Sequence, residues 1–234
     1  MRIAVALRSL ARVATQPSLV VVKRGSMQIR ALTTTAQRFS GVSSQLAECL
    51  DGEIRAEKEL ESQSLSQTSF PGFNISTNGA EVRLTKKHGN EDILVVFNVN
   101  HSVDVNEDGE GQVPEAAPVP VALPPFQVEI TKGGERLCFH LELCEGENQQ
   151  YDFAVEEFYI APAAKANEED VASHVYASSG QYIDSNLHDL LFVRYLEERG
   201  LDTHFCNTLV QYATHYEHSQ YVGLLNKIKA FVSK

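Results

Sequence analysis

The chain has 234 residues, 43% of them hydrophobic, enough for one domain with a substantial core. Its 31 acidic residues outnumber 20 basic ones, a formal net charge of −11, so its surface as a whole repels nucleic acid and anionic lipid. No apolar run approaches the roughly 20 residues that a membrane-spanning helix needs.

Charge is unevenly placed along the chain. Residues 1–40 hold Arg2, Arg8, Arg12, Lys23, Arg24, Arg30 and Arg38 and no acid, so the remainder carries all 31 acids and 13 of the bases, a formal −18. Projected as a helix, Ile3, Leu7, Leu10 and Ala14 share one face and Arg2, Arg8 and Arg12 the opposite one. With abundant Ser and Thr, this is the composition of a mitochondrial transit peptide, and the expected address is the mitochondrial matrix. A secretory signal is the competing reading, but Arg8 and Arg12 interrupt every candidate apolar core. Arg38-Phe39-Ser40 resembles a matrix-peptidase cleavage site, which leaves 41–234 as one acidic domain.

Residues 41–66 predict a polar helix whose narrow apolar stripe, Leu46, Leu50 and Ile54, must dock on something. Pro71 and Gly72 end it, and the hydrophobic period switches to two. Alternating runs around Val82–Leu84, Ile93–Val99, Phe126–Ile130, Leu137–Leu143 and Tyr151–Val155, with Gly72–Thr77 and a weak run at His174–Ala177, predict about seven antiparallel strands over 72–177. Asn78-Gly79, Gly89-Asn90 and Gly133-Gly134 mark tight hairpins. Two acidic stretches interrupt the meander. The first, 104–125, carries Asp104, Glu107, Asp108, Glu110 and Glu115 among prolines and glycines; the second, 161–171, carries Glu168, Glu169 and Asp170. Both read as mobile loops able to wrap a cationic partner.

The segment 184–232 is helical. Leu187, Leu190, Leu191 and Tyr195 recur at spacings of three and four, Gly200 follows Arg199 as a C-cap with Leu201 folding back, and Asp202 caps a second helix. Phe205, Leu209, Tyr212, Ala213 and Tyr216 form its buried stripe. Tyr221, Leu224, Leu225, Ile228 and Phe231 either continue this helix or follow a break near His218. A sheet with one apolar face and amphipathic helices at both ends predicts an α+β fold with the helices gathered on one side.

Motifs for chemistry are few. No Gly-rich phosphate loop is present, and Asp108-Gly-Glu-Gly111 would repel a phosphate. His215 and His218 lie three apart near His204 and Glu217, without H-E-x-x-H order or an indicated third ligand, so they read as a solvated helix face. His140 reads as a residue on the wet face of its strand. Cys49, Cys138, Cys144 and Cys206 show no zinc spacing and read as free thiols, three of them packed beside apolar neighbours. Carboxylate pairs such as Glu156-Glu157 and Glu197-Glu198 say little in so acidic a chain. No catalytic residue, cofactor or metal is expected.

The string Tyr195-Leu-Glu-Glu-Arg-Gly-Leu-Asp202, followed by Phe205, Leu209, Glu217-His218, Tyr221 and Lys229-Ala-Phe231, resembles the C-terminal signature of the mitochondrial acidic matrix protein family. Its animal members are called p32 or the receptor for the globular heads of complement C1q. The resemblance implies a twisted seven-stranded antiparallel sheet flanked by terminal helices, three copies closing into a homotrimeric ring. It also implies links to mitochondrial gene expression, RNA processing or editing, translation and oxidative phosphorylation. Charge and resemblance together make the expected molecule a non-enzymatic, chaperone-like adaptor for basic proteins, RNA-binding and ribosomal ones included, with RNA reached indirectly. The alternatives are an enzyme subunit with a site at the ring interface and a direct RNA-binding accessory factor.

Overall fold

A run of strands that alternate apolar and polar residues buries its apolar half only by turning one face of a sheet against a cover. The computed structural model, which describes residues 36–63, 69–104, 121–146, 150–163 and 174–234, shows that arrangement. The chain divides into two units, Met1–Ser40 and Gly41–Lys234, and the second holds the fold. Seven strands, β1 (Asn74–Asn78), β2 (Glu81–His88), β3 (Glu91–Asn98), β6 (Phe126–Lys132), β7 (Glu135–Glu145), β8 (Tyr151–Pro162) and β9 (Ala177–Ser179), lie side by side in that order, every pair antiparallel. Asn78 pairs with Glu81, His88 with Glu91 and Lys132 with Glu135, so the three predicted hairpins all close through two-residue loops. The weak last strand sits at Ala177–Ser179, slightly later than the alternation suggested.

Between β3 and β6 the chain makes a separate ladder of β4 (Val103–Asp104) with β5 (Val121–Ala122). This corrects the reading of 104–125 as one continuous loop. Leu123 N–H donates to Ser102 O at 2.7 Å and Ala122 N–H to Thr214 Oγ1 at 3.0 Å, so both stems of the excursion are tied down.

Register stacks the core in rows. Leu84, Val95, Val128 and Phe139 form one row across the sheet and Val82, Phe97, Phe126 and Leu141 the next, each 2% exposed or less. Burying such rows is the dominant favourable contribution to folding. Their cover comes from the C-terminal helices. Asp184 caps α2 (Ser185–His188), which passes into a π-helical turn, Asp189–Arg194, and then α3 (Tyr195–Glu197). The π turn overturns part of the predicted stripe. A 3.6-residue period fails where the hydrogen bond from Tyr195 N–H reaches back five residues to Leu190 O. Leu187 and Leu190 are therefore exposed, while Phe192 and Leu196 face the sheet and Phe192 meets Phe139 and Phe158 edge-on.

Gly200 ends this helical region as predicted. It adopts φ +83°, Leu201 N–H donates to Leu196 O and Gly200 N–H to Glu197 O, the paired bonds of a Schellman cap, and Leu201 folds back to 1% exposure. Asp202 then accepts from Phe205 N–H at 2.8 Å and starts α4 (Thr203–Val232), which runs through His218 without a break. Phe205 is the hub of the cover, with ring centroids 5.4 Å from Phe70, 5.6 Å from Phe73 and 6.3 Å from Phe126.

The second half of α4 holds α1 (Ala36–Gln63) instead of the sheet. Leu50 and Ile54 pack with Leu225, flanked by Ile228 and Val232. His218 faces Glu57 at 3.3 Å and Lys229 pairs with Asp51, so the two helices run antiparallel. Leu46 does not join this seam. It is 40% exposed, as are Leu224 at 51% and Phe231 at 75%, on the same helix pair. Burial pushes the Glu217 carboxyl, beside this seam, above the ordinary value of 4.5, and Glu57 adds to the shift while His218 opposes it. Folding thus favours the protonated form. The resulting penalty is fully present above the raised value and vanishes as pH falls below 4.5, the unfolded-state value. Glu217→Gln is accordingly expected to stabilise the protein at pH 7 and to be neutral at pH 4, as read from urea midpoints. An equal effect at both pH values would contradict the assignment.

Candidate functional site

The helices occupy one face of the sheet, so the polar half of each strand's alternation is left on the other, open face. There Gln127 on β6 lies opposite His140 on β7, which lies opposite Glu157 on β8; one row along, Glu129, Cys138 and Tyr159 are neighbours. His140 Nε2 and Tyr159 Oη are 3.1 Å apart. Arg136, only 5% exposed, places Nη1 3.0 Å from both oxygens of Glu129.

This row is ionisable but unsuited to nucleophilic work. Burial, with the Glu129 charge adding to it, pushes the Cys138 thiol up to about 11, and burial together with Cys138 pushes the Tyr159 phenol up to about 12. Each stays neutral near pH 7, whereas the thiolate is the reactive form of a cysteine. Cys206 is pushed still higher, to about 12, by burial and the nearby Asp152, while His204 beside it in sequence is exposed. Two of the four thiols, Cys138 and Cys206, are buried; Cys49 and Cys144 are exposed, one fewer packed thiol than expected. Among the described residues no group of three His, Cys, Asp or Glu side chains converges as a metal set. His218 is engaged by Glu57 at 3.3 Å.

Toward the β3–β6 end of the open face lies a cleft of about 520 Å³ lined by Glu81, Asn98, Gln127, His140, Glu142, Glu156 and Glu157, with Val96 and Pro125 as apolar lining. Its shape comes from a β-bulge. His140 pairs with Glu157 and Leu141 with Val155, so Glu156 is an extra residue in β8 with no partner opposite. Val155 and Phe158 both reach the core, and the two glutamates between them both line the cleft. Strict alternation would have sent them to opposite faces; a bulge re-aims one. This is the grouping that a sequence reading misses, since an adjacent Glu-Glu pair in an acidic chain carries no signal until the bulge is seen.

Of the predicted partner-binding residues, Asp104 lies in β4 at the stem of the first acidic excursion. Glu107, Asp108, Glu110, Glu115, Glu168, Glu169 and Asp170 lie outside the described residues. The bases are more fully described, and most are committed. Arg83, Lys87, Lys132, Arg136, Arg194, Arg199 and Lys229 each hold a carboxylate of the same chain. Arg136 and Arg199, buried with their carboxylates, are not free to neutralise phosphates, which is what nucleic-acid binding demands.

Comparison with known proteins agrees with this picture. The profile of the family described as mitochondrial glycoprotein (MAM33) matches residues 50–232. The chain is similar to "Conserved regulator of innate immunity protein 3" of Caenorhabditis elegans, 60% identical over 233 residues that span 97% of each chain. It is similar also to the human "Complement component 1 Q subcomponent-binding protein, mitochondrial", 30% identical over 198 residues, covering 78% of this chain and 69% of the other. Among solved structures, a Leishmania major protein described as a homologue of human p32 superposes with TM-score 0.62 at 20% identity, covering 82% of this chain and 99% of that one. The Trypanosoma brucei p22 protein does so with TM-score 0.58, also at 20% identity, covering 82% and 98%. At that identity the two structures attest the fold alone. The family description and the name of the human relative are mitochondrial, in agreement with the matrix address expected from the sequence. With the profile spanning most of the chain, a relative 30% identical over two thirds of its length and the same seven-stranded sheet, the chain belongs to the mitochondrial glycoprotein (MAM33) family, the family of p32.

Proposed function

We propose that the protein is a non-enzymatic, chaperone-like adaptor of the mitochondrial matrix that holds basic proteins by charge and through them supports mitochondrial gene expression, in RNA processing or editing and translation, and oxidative phosphorylation. The observation that carries this reading is the combination of a formal −18 beyond residue 40 with described bases most of which already face a carboxylate of the same chain. A surface of that kind attracts cationic proteins at raised on-rates and turns RNA away unless a basic protein bridges. Of the relatives, one is named a complement C1q subcomponent-binding protein and another a regulator of innate immunity. The carboxylates proposed to meet such a partner are those of Asp104, Glu107, Asp108, Glu110, Glu115, Glu168, Glu169 and Asp170.

Assembly as a homotrimer belongs to the same proposal. Tyr176 and Tyr182 are 83% and 90% exposed, and Leu187, Leu190, Leu224 and Phe231 add apolar area that a lone protomer leaves in water. Exposed apolar side chains of this kind are candidate protein contacts. The test is made on protein purified from mitochondria. Light scattering is expected to give three times the protomer mass. Immobilised arginine-rich protein is expected to retain it below about 0.15 M salt and to release it well above, where the Debye length has shrunk. Retention indifferent to salt would remove the electrostatic reading.

A further inference from the structure

The open-face cleft is concave, of ligand size and lopsided in charge. Of its four glutamates, Glu81 is held by Arg83 at 2.6 Å and Glu156 meets only the Gln181 amide at 3.3 Å. Among the described residues Glu142 and Glu157 have no cationic partner. Both are exposed at the rim, and Val96 and Pro125 supply apolar lining. A pocket of several hundred Å³ with an apolar floor and a few directed polar groups is the usual form of a binding site. Here those groups are acceptors of negative charge, brought together because the bulge turns Glu156 and Glu157 to one side.

We propose that this cleft seats an arginine side chain of an extended basic segment on a partner protein, its guanidinium toward Glu156, Glu157 and Glu142 and its aliphatic stem against Val96 and Pro125. This rests on the reading that the partners are cationic proteins, and it adds a specific seat to a diffuse attraction. A guanidinium suits the site better than an ammonium. Its planar fork can satisfy two carboxylates at once, and its weaker hydration lowers the cost of leaving water for a half-enclosed cleft. An RNA phosphate would meet four carboxylates and is excluded by the same geometry.

The experiment measures binding of fluorescent nona-arginine and nona-lysine peptides to the protein purified from mitochondria at about 0.15 M salt. Three variants are compared: E142Q/E157Q in the cleft, Glu107, Asp108, Glu110 and Glu115 changed to amides in the acidic excursion, and E48Q/E53Q on α1 as a charge-matched control. The cleft variant is expected to weaken nona-arginine about tenfold, the order of one charged hydrogen bond, with a smaller loss for nona-lysine. The α1 control is expected to change neither. Equal losses in the cleft variant and the control would reduce the effect to net charge and overturn the seat. Loss only in the excursion variant would overturn the seat and leave the adaptor reading standing; no binding of either peptide by the wild type would overturn both. A photoreactive nona-arginine gives a second readout: crosslinks on β7 and β8 around Glu142 and Glu157 support the seat, and crosslinks confined elsewhere overturn it.

Discussion

Arg199→Met is expected to destabilise the protein by about 3–5 kcal/mol, the range for removing one partner of a buried ion pair. Arg199 stands where α3 ends, with its side chain 6% exposed and that of Glu91 on β3 4% exposed. Nε and Nη2 both lie 2.8 Å from Glu91 Oε2, Nη1 donates to Tyr195 O at 2.7 Å, and the guanidinium sits 3.4 Å from the centroid of the Tyr195 ring. The substitution leaves Glu91 buried with Lys132 as its remaining cation, 3.2 Å away on the other oxygen. Replacing both partners, as in E91L/R199M, is expected to recover most of the loss, because the desolvated charge goes with its counterion. Urea midpoints of the two single variants and the double test this directly, and a single-variant cost below about 1 kcal/mol would place the pair with ordinary surface bridges.

The same pair sets an acid limit on stability. Burial pushes the Glu91 carboxyl up, but hydrogen bonds from Arg199 and then Lys132 more than reverse this and hold it below the ordinary 4.5. Folding therefore favours the ionised form. The stabilisation is complete above 4.5, the unfolded-state value, and is lost as pH falls through the lower folded-state value. The gap between wild type and Arg199→Met is expected to narrow as pH falls below 4.5.

Local chemistry made much of this fold legible. The alternation through Val82, Val95, Val128 and Phe139 marks the buried face because a strand's side chains must point to opposite sides. Gly200 and Asp202 mark a helix end and a helix start because one residue type relieves the left-handed cap and another satisfies a free amide. What escaped detection depends on distance or on a broken period. Glu91 and Arg199 are 108 residues apart, and nothing near either announces the other. The π turn shifts burial from Leu187 and Leu190 to Phe192 and Leu196, and only a hydrogen-bond register can reveal that. On α1, Leu46 shares the apolar stripe of Leu50 and Ile54 in projection, yet only the latter two meet Leu225. For the candidate site, total charge is readable from composition, but a cleft that gathers Glu142, Glu156 and Glu157 requires one unpaired residue in β8. A period-two reading cannot anticipate it.

That bulge leads to the second large expected effect, Gly180→Ala. Gly180 follows β9, is buried, and donates its N–H to Glu156 O at 3.1 Å. A Cβ on it would lie 2.0 Å from the carbonyl oxygen of Val155 and 2.9 Å from its carbon, contacts with backbone that no side-chain rotation relieves. The chain after β9 must withdraw from β8, which breaks the Glu156 bond and loosens the pairing of Glu157 with Ser179. Overpacking usually costs 1–3 kcal/mol, and a clash between two backbones belongs at the top of that range, about 3 kcal/mol. Gly223→Ala is the matched control. Gly223 lies inside α4 with nothing within 4 Å of its added Cβ, so there the same methyl is expected to stabilise by about 0.5–1 kcal/mol. Chemical denaturation reads both changes. Because Gly180 fixes the bulge and the bulge aims the two glutamates, Gly180→Ala is also expected to weaken nona-arginine binding under conditions where the protein is still fully folded. A Gly180→Ala protein as stable as wild type would mean that β8 can yield at Val155. One destabilised but binding with unchanged affinity would separate the bulge from the cleft and leave Glu142 and Glu157 to act without Glu156.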